Sequence, residues 1–431
     1  MIYHITTYGC QMNIHDSEII AGALQRRGYR EAAEPTDADV VVFNTCCIRE
    51  TAETRALGAI SACKSTKAKN PAQILIIAGC IPQKQDSFQK LQNEYKFADI
   101  IIGAQQLSDF GRIFDDYITN RKRFANICET SALRKEESAF RTSGANAWIN
   151  IMYGCDNYCS YCIVPCVRGR ERSRPANDVI AEAEGCIAAG YKEITLLGQN
   201  VNSYRDGNTD FAALLAKIAA LPGEFRLRFM TSHPKDLTDA VIDVIAESPK
   251  IADYIHLPAQ SGSTKILAVM NRKYTREEYI TLIQKIRAKI PRCGITSDFI
   301  AGFPGETEED FENTLSLIRE VRFNNIYSFI YSRRSGTKAA SLTGQIPGGV
   351  KKERVKALIA LQRKIGAEIA AECVGSTFRA LIDGEYKDGL MAVTDCAKAI
   401  HLPQTDKKLN NTFQQIYIDK NISGRLIGRI I

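Results

Sequence analysis

Cys155, Cys159 and Cys162 lie in the stretch Gly154-Cys155-Asp156-Asn157-Tyr158-Cys159-Ser160-Tyr161-Cys162, a C-x3-C-x2-C spacing. Three thiolates within eight residues suit three irons of a [4Fe-4S] cube and leave the fourth iron without a protein ligand, whereas such clusters are ordinarily held by four cysteines. An open corner on a cluster is a place for something else to bind. Zinc is the competing reading. Zinc sites favour paired C-x2-C units that supply four ligands, and no matching second pair lies near in the sequence.

The elements that must position these thiols come next. Trp148-Ile149-Asn150-Ile151-Met152-Tyr153 reads as a short apolar strand that ends at the motif. Before it, residues 1–117 alternate strand and helix. Strands are expected at Ile2–Thr7, Asp39–Asn44, Gln73–Ala78 and Ala98–Ile102, with helices over Asp16–Gly28 and up to Lys69. Continuous β-branched runs separated by helices predict a parallel α/β sheet. Three further cysteines follow successive strands: Cys10 after the first, Cys46 after the second, Cys80 after the third. In such a sheet the strand ends open on one edge, where ligands bind. One buried cysteine would be an ordinary small hydrophobe, but three at three strand ends point to a second three-thiol cluster. Spacing leaves open whether Cys46 or its neighbour Cys47 belongs to that set. Cys63, on a helix, and Cys128, in a charged linker over 118–147, read as non-ligands.

From Trp148 a second βα series begins, with strands ending at Tyr153, Leu197, Met230, Leu257, Ile300 and Tyr331 and helices between them. Six such units suit a partial barrel open on one side, and a barrel places its chemistry after its strands. Gln199, Asn200, Ser232, His233, His256, Gln260, Ser261 and Asp298 all fall there. His233 and His256 are either proton shuttles or histidines that shape a pocket. Gly302 follows a strand, where glycine lets backbone approach a ligand closely. Arg168, Arg170, Arg172 and Arg174 recur at every second position after the motif. In an extended loop they would share one side, suited to phosphates or simply to solvent.

Composition bounds the rest. The 431 residues imply two or three domains. A 45% apolar and 24% charged content is that of an ordinary soluble globular protein. No apolar run reaches the length of a membrane span and Met1-Ile2-Tyr3-His4 has no signal-peptide layout, so a cytoplasmic protein with no membrane partner is expected. Fourteen cysteines in that compartment argue for metal or catalysis rather than disulfides. Of the net charge of +7, fourteen Lys/Arg against nine Asp/Glu place +5 from Lys351 onward, which favours a polyanion such as RNA.

The motifs together resemble the methylthiotransferase family of radical S-adenosylmethionine (SAM) enzymes. The resemblance rests on Thr7-Tyr8-Gly9-Cys10-Gln11-Met12-Asn13 with Asp16-Ser17-Glu18, Asn44-Thr45-Cys46, Gly79-Cys80 and Gly154–Cys162 with Ile163-Val164-Pro165. It continues through Arg168–Arg174, Leu197-Gly198-Gln199-Asn200-Val201, Ser232-His233-Pro234, His256–Ser263 and Met270-Asn271-Arg272. Gln11-Met12-Asn13 resembles the form found in the branch acting on isopentenyladenosine in tRNA. Two departures stand out: Cys166, where the family usually has Tyr, and a loop over Tyr331–Thr337 without two prolines common there.

The resemblance implies an α/β chain of three domains: an N-terminal parallel-sheet α/β domain (1–117), a partial (β/α)6 radical SAM barrel (141–371) and a small C-terminal β-barrel, the TRAM domain (374–431). It implies two [4Fe-4S] clusters, on Cys155, Cys159 and Cys162 and on Cys10, Cys46 and Cys80, with Cys166 left out because SAM needs the open iron. SAM would be met by Gln199, Asn200, Ser232, His256, Gln260, Asp298 and Gly302, and RNA phosphates by Arg168, Arg170, Arg172 and Arg174. The implied reaction sets a methylthio group on carbon 2 of N6-isopentenyladenosine beside the anticodon. Its partners are the tRNA anticodon loop, a flavodoxin- or ferredoxin-like electron donor and a sulfur donor of unknown kind. The alternatives are methylthiolation of threonylcarbamoyladenosine or of a ribosomal protein, and a non-enzymatic iron–sulfur protein that binds RNA or senses redox state.

Overall fold

The computed structural model describes residues 1–47, 50–128, 139–141, 144–403 and 405–431. They gather into two compact units. One comprises Met1–Thr142, Met152–Asp156 and Ile163–Arg174; the other comprises Ser143–Ile151, Asn157–Cys162 and Pro175–Ile431.

The first unit is built on a six-stranded parallel sheet. From edge to edge its strands are Arg30–Glu31, Ile2–Thr7, Val40–Thr45, Ile74–Gly79, Ile100–Gly103 and Phe124–Asn126. The central runs VVVFNT and ILIIAG are buried at every position, as parallel strands covered on both faces must be. Helices Gln11–Arg26 and Phe110–Asn120 close one face over Ile20, Leu24, Val42, Ile76 and Phe114. Helices Glu50–Lys69 and Gln85–Glu94 close the other over Phe43, Leu75, Ile77 and Ile101. The first helix starts at Gln11 rather than at the expected Asp16, directly after Cys10 as its N-cap. Burial of Met12, Asn13 and His15 carries the helix back to the cysteine. The charged stretch Arg134-Lys135-Glu136-Glu137 lies outside the described residues.

In the second unit, six parallel strands form an open arc. Asn146–Asn150, Glu193–Leu197 and Arg226–Phe229 make one half, Tyr254–His256, Gly294–Ala301 and Asn325–Ile330 the other. A parallel bridge from Leu227 to Ile251 joins the halves, which confirms the expected partial barrel. The strand leading to the cysteine motif is shorter than expected. It ends at Asn150, and Met152–Tyr153 instead pairs antiparallel with Arg172–Ser173 in the first unit. The 25-residue helix Gly348–Glu372 then leads to a closed barrel of Thr377–Tyr386, Gly389–Thr394, Ala399–Pro403, Arg425–Ile430 and Phe413–Ile422. Its core is Ala380, Ile382, Leu390, Ile400, Leu402, Ile416 and Ile418. Among the described residues no helix is long and apolar enough to cross a membrane.

Candidate iron–sulfur and S-adenosylmethionine sites

The first unit brings Cys10, Cys46 and Cys80 to one edge of its sheet, at the ends of three adjacent strands. Side chains knit those ends together. Asn13 Nδ2 donates to Asn44 Oδ1 (3.2 Å) and to the Thr45 carbonyl (3.0 Å), and Asn44 Nδ2 returns a bond to the Asn13 carbonyl (2.8 Å). Thr45 Oγ1 donates to the Ala78 carbonyl at 2.7 Å. Two glycines make the approach possible. A Cβ on Gly9 (φ +131°) would come within 2.5 Å of Cys46 Cβ, and one on Gly79 (φ +102°) would overlap the Thr45 carbonyl.

The charge at this edge is unusual. Arg168 is 4% exposed and donates from Nη2 to Asp16 Oδ2 at 2.7 Å. Burial works against its charge, but Asp16 and the sulfurs of Cys80 and Cys10 outweigh it and keep the guanidinium protonated. A hydrogen bond with Cys47 brings the Cys80 thiol down to about 6, against its burial and with help from Arg168. The Cys47 thiol is pushed up in turn, by that bond and by burial. Burial also raises Cys10, which Arg168 partly offsets. Cys47 therefore lies against Cys80 and within the apolar core, whereas Cys46 lies against Gly9. Among the described residues no three ligand-type side chains are gathered closely enough for one metal ion. A single zinc ion needs its sulfurs about 2.3 Å away, whereas the thiolates of a cluster each hold a different iron and stand wider apart. The donors at this edge are all sulfur with a buried cation beside them, a set of the kind that iron–sulfur clusters use.

Cys155 also belongs to the first unit, where its backbone N–H donates to the Gly169 carbonyl at 3.2 Å. Gly154 (φ +77°) passes so close to Arg170 that any side chain would overlap its carbonyl. Ile163 and Val167 pack with Cys47, Cys80 and Ile81. Ile163 caps the short helix Val164–Arg168 and Val167 lies within it; Cys166, on the same helix, is exposed.

The arginine series departs from expectation. The four do not share one side of an extended loop, because the first ends a helix and turns inward. Arg168 is consumed in a buried ion pair and is not a surface phosphate contact. Arg170 remains 77% exposed, 3.1 Å from Asp156, and Arg172 and Arg174 are half-buried.

In the second unit, Cys159 and Cys162 lie in one turn, with the Cys162 N–H on the Cys159 carbonyl at 2.9 Å. Arg272 Nη1 reaches Cys159 Sγ at 3.5 Å. Sequence reasoning gave Arg272 no role, although it stands in the quoted Met270-Asn271-Arg272. Its burial lowers the charge's stability, yet Tyr274, Tyr161 and Cys159 more than restore it.

The residues expected to meet SAM line successive strand ends of the arc. Among the described residues, Asn200 Oδ1, Ser232 Oγ and Gln260 Oε1 are buried and have no hydrogen-bond partner. Orphaned buried acceptors and donors of this kind are costly unless something fills them, so this edge suits a polar ligand. Gln260 holds φ +69° and Thr231, beside Ser232, φ +69°, strain that clusters at ligand sites. His256 bonds Thr296 Oγ1 through Nδ1 (2.9 Å) and lies 3.6 Å from Asp298 through Nε2. Gln199 is half-buried beside Asn200. Gly302 is placed otherwise: the space where its Cβ would be holds the Lys351 stem, so its freedom serves packing. His233 Nε2 likewise has no hydrogen-bond partner among the described residues, and burial with nearby Arg272 lowers its pKa to about 2, so the ring is neutral.

Residues 149–318 match the model of the radical SAM superfamily, and residues 2–103 that of the uncharacterized protein family UPF0004. The tRNA-2-methylthio-N(6)-dimethylallyladenosine synthase of Thermoanaerobacter pseudethanolicus is 46% identical over 438 residues, covering 100% of this chain and 93% of that one. The enzyme of the same name from Caldicellulosiruptor saccharolyticus is 48% identical over 389 residues, covering 89% and 83%. Among solved structures, the radical S-adenosylmethionine methyltransferase TsrM from Kitasatospora setae shares the fold, with a TM-score of 0.60 at 13% identity over 91% of this chain and 80% of that one. Membership of the radical SAM superfamily brings SAM and a [4Fe-4S] cluster as cofactors. The chain belongs to the tRNA-2-methylthio-N(6)-dimethylallyladenosine synthase family of radical SAM methylthiotransferases.

Proposed function

We propose that this chain methylthiolates carbon 2 of N6-isopentenyladenosine beside the anticodon of tRNA, using SAM and two [4Fe-4S] clusters. The observation that carries the reading is whole-chain identity of 46% to an enzyme of that name, joined to two intact three-cysteine sets. Cys155, Cys159 and Cys162 would hold one cluster, and Cys10, Cys46 and Cys80 the other. When bound, these groups supply a 5′-deoxyadenosyl radical and the transferred sulfur, chemistry that no side chain can provide.

The chain's own residues position and exclude. Asn200, Ser232 and Gln260 offer their unpaired polar atoms to SAM, with Gln199, His256 and Asp298 at neighbouring strand ends. His233, neutral, is no acid at physiological pH and serves to shape the site. Gly9 and Gly79 bring the Cys10, Cys46 and Cys80 backbones together. Arg170, Arg172 and Arg174 would meet tRNA phosphates, and the C-terminal barrel, of a kind suited to RNA, gives a further surface. The protein works in the cytosol, with a flavodoxin- or ferredoxin-like reductant and a sulfur donor. The test is mass spectrometry of tRNA nucleosides from a strain lacking this chain. Loss of the methylthio group with the isopentenyl group retained supports the reading. Loss from threonylcarbamoyladenosine instead, or no change, overturns it.

A further inference from the structure

Arg272 is 8% exposed and shares its compact unit with Cys159 and Cys162. Three hydrogen bonds fix its fork. Nε donates to Tyr274 Oη at 2.8 Å, Nη2 to the Pro258 carbonyl at 2.8 Å, and Nη1 points at Cys159 Sγ at 3.5 Å. Tyr274 passes its own proton to the Ala259 carbonyl at 2.9 Å and offers its ring to the guanidinium, 5.1 Å from the centroid. The turn before Arg272 grips the cysteine loop directly. Asn271 (φ +59°) donates to the carbonyls of Asn157 (3.2 Å) and Tyr158 (2.9 Å), and Ser160 N–H donates to the Met270 carbonyl at 2.9 Å. Arg272 is thus held in fixed register with Cys159.

The contrast with Arg168 is informative. Arg168 is neutralised by Asp16, but among the described residues no carboxylate pairs with Arg272. A buried ion without a counter-charge is penalised by several kcal/mol. Among the described residues, the one group its bonds reach that becomes anionic on ligating a cluster is the Cys159 sulfur. Cluster potentials respond to net charge and to hydrogen bonds at the sulfurs.

We infer that Arg272 is a positioning residue for the cluster of Cys155, Cys159 and Cys162, where its fixed positive charge raises the reduction potential. The inference rests on the proposed assignment of those cysteines as ligands. A reduced cluster carries one more negative charge than an oxidised one. A cation locked against a ligating sulfur stabilises the reduced form more and makes electron delivery easier.

The test uses the full chain with Cys10, Cys46 and Cys80 all changed to Ala, so that one cluster reports. This parent is reconstituted anaerobically, alone and with Arg272→Gln or Arg272→Lys. Iron and acid-labile sulfide are counted, and the potential is titrated by electron paramagnetic resonance. At the parent's midpoint, Arg272→Gln is expected to lower the reduced-to-oxidised ratio about tenfold or more, which is 59 mV for one electron. Arg272→Lys keeps the charge and is expected to stay near the parent. Loss of iron from Arg272→Gln but not from Arg272→Lys also supports the role of charge. An unchanged potential in Arg272→Gln overturns the inference. So does a shift in Arg272→Lys as large as in Arg272→Gln, or loss of iron from both, because the fork rather than the charge would then matter. A parent that binds no iron sinks the ligand assignment itself, and the inference with it.

Discussion

Arg168 donates to Asp16 over 2.7 Å with both side chains out of solvent, at the sheet edge that carries Cys10, Cys46 and Cys80. Removing one partner of a buried ion pair costs about 3–5 kcal/mol, because the other is left charged and unpaired. Asp16→Ala is expected to lose that much stability, whereas Asp16→Leu with Arg168→Met loses far less than the two single changes summed. A double-mutant cycle on the apo chain, followed by hydrogen exchange of the 40–45 amides, checks this. Additive costs would mean the pair is not coupled.

Thiol identity gives the second prediction. With two clusters, the reconstituted chain carries about eight irons. Cys46→Ala is expected to fall to about four and Cys47→Ala to stay near the full count. Cys155→Ala abolishes SAM cleavage, whereas Cys80→Ala keeps cleavage and loses thiolation. Iron analysis with anaerobic product assay reads all four variants. If Cys47→Ala is the one that loses iron, the ligand moves to Cys47, whose thiol already meets Cys80.

The parallel sheet, the arc of six strands and the strand ends that carry Cys10, Cys46 and Cys80 were legible in the sequence. Each rests on a strong local signal: thiol spacing, β-branched runs or βα alternation. What was missed depends on distant partners. Arg168 was grouped with Arg170, Arg172 and Arg174 by spacing alone, but the Val164–Arg168 helix and Asp16 turn it inward. Arg272 gained meaning only through Cys159, 113 positions away. Ala399–Pro403 and Arg425–Ile430 are short, and one is broken by Gly428 and two arginines, so only barrel closure defines them.

Gly79 is the third prediction. Its φ of +102° with ψ of −150° is a region reserved for glycine, and a Cβ there would overlap Thr45. Gly79→Ala combines about 1–3 kcal/mol of backbone strain with displacement of the strand end that carries Cys46. Lower thermal stability and fewer irons on reconstitution are expected together. A variant that is as stable as the parent would show that the strand ends have room to part.

His233 sets a pH dependence. Burial first, then Arg272 and Lys235, hold its pKa near 2 in the folded chain, against about 6.5 unfolded. The neutral ring's contribution is therefore complete above pH 6.5 or so and is lost as pH falls towards the folded value. Below that onset this one group should cost about 1.4 kcal/mol per pH unit. His233→Asn keeps an acceptor for the Lys235 N–H that Nδ1 now takes at 3.3 Å but cannot titrate. Urea midpoints between pH 5 and pH 8 should converge with the wild type's at the acid end. Parallel curves would mean the histidine protonates without cost.

The last prediction concerns Arg226 and Arg228, on one strand of the arc. Arg226 is 1% exposed and donates to Glu193 Oε2 (2.5 Å), to Asp395 Oδ1 (3.2 Å) and to the Val393 carbonyl (2.7 Å). Arg228 donates to the same Glu193 oxygen (2.7 Å) and to the Thr394 carbonyl (2.8 Å). Both guanidiniums therefore span from the arc to the end of the Gly389–Thr394 strand in the closed barrel. Close beside them, any side chain at Gly294 would overlap the Cys396 carbonyl. A joint this polar holds only while every charge is answered. Arg226→Ala leaves Glu193 and Asp395 short of a cation and should cost about 3–5 kcal/mol. Its effect should be regional as well as large: the closed barrel, with its own apolar core of Ile382, Leu390, Ile400 and Ile416, ought to melt separately from the arc. Scanning calorimetry should then resolve a transition that is fused in the wild type, and limited proteolysis should cut near residue 374. A single transition in Arg226→Ala, merely shifted in temperature, would assign the joint to the long helix Gly348–Glu372 instead.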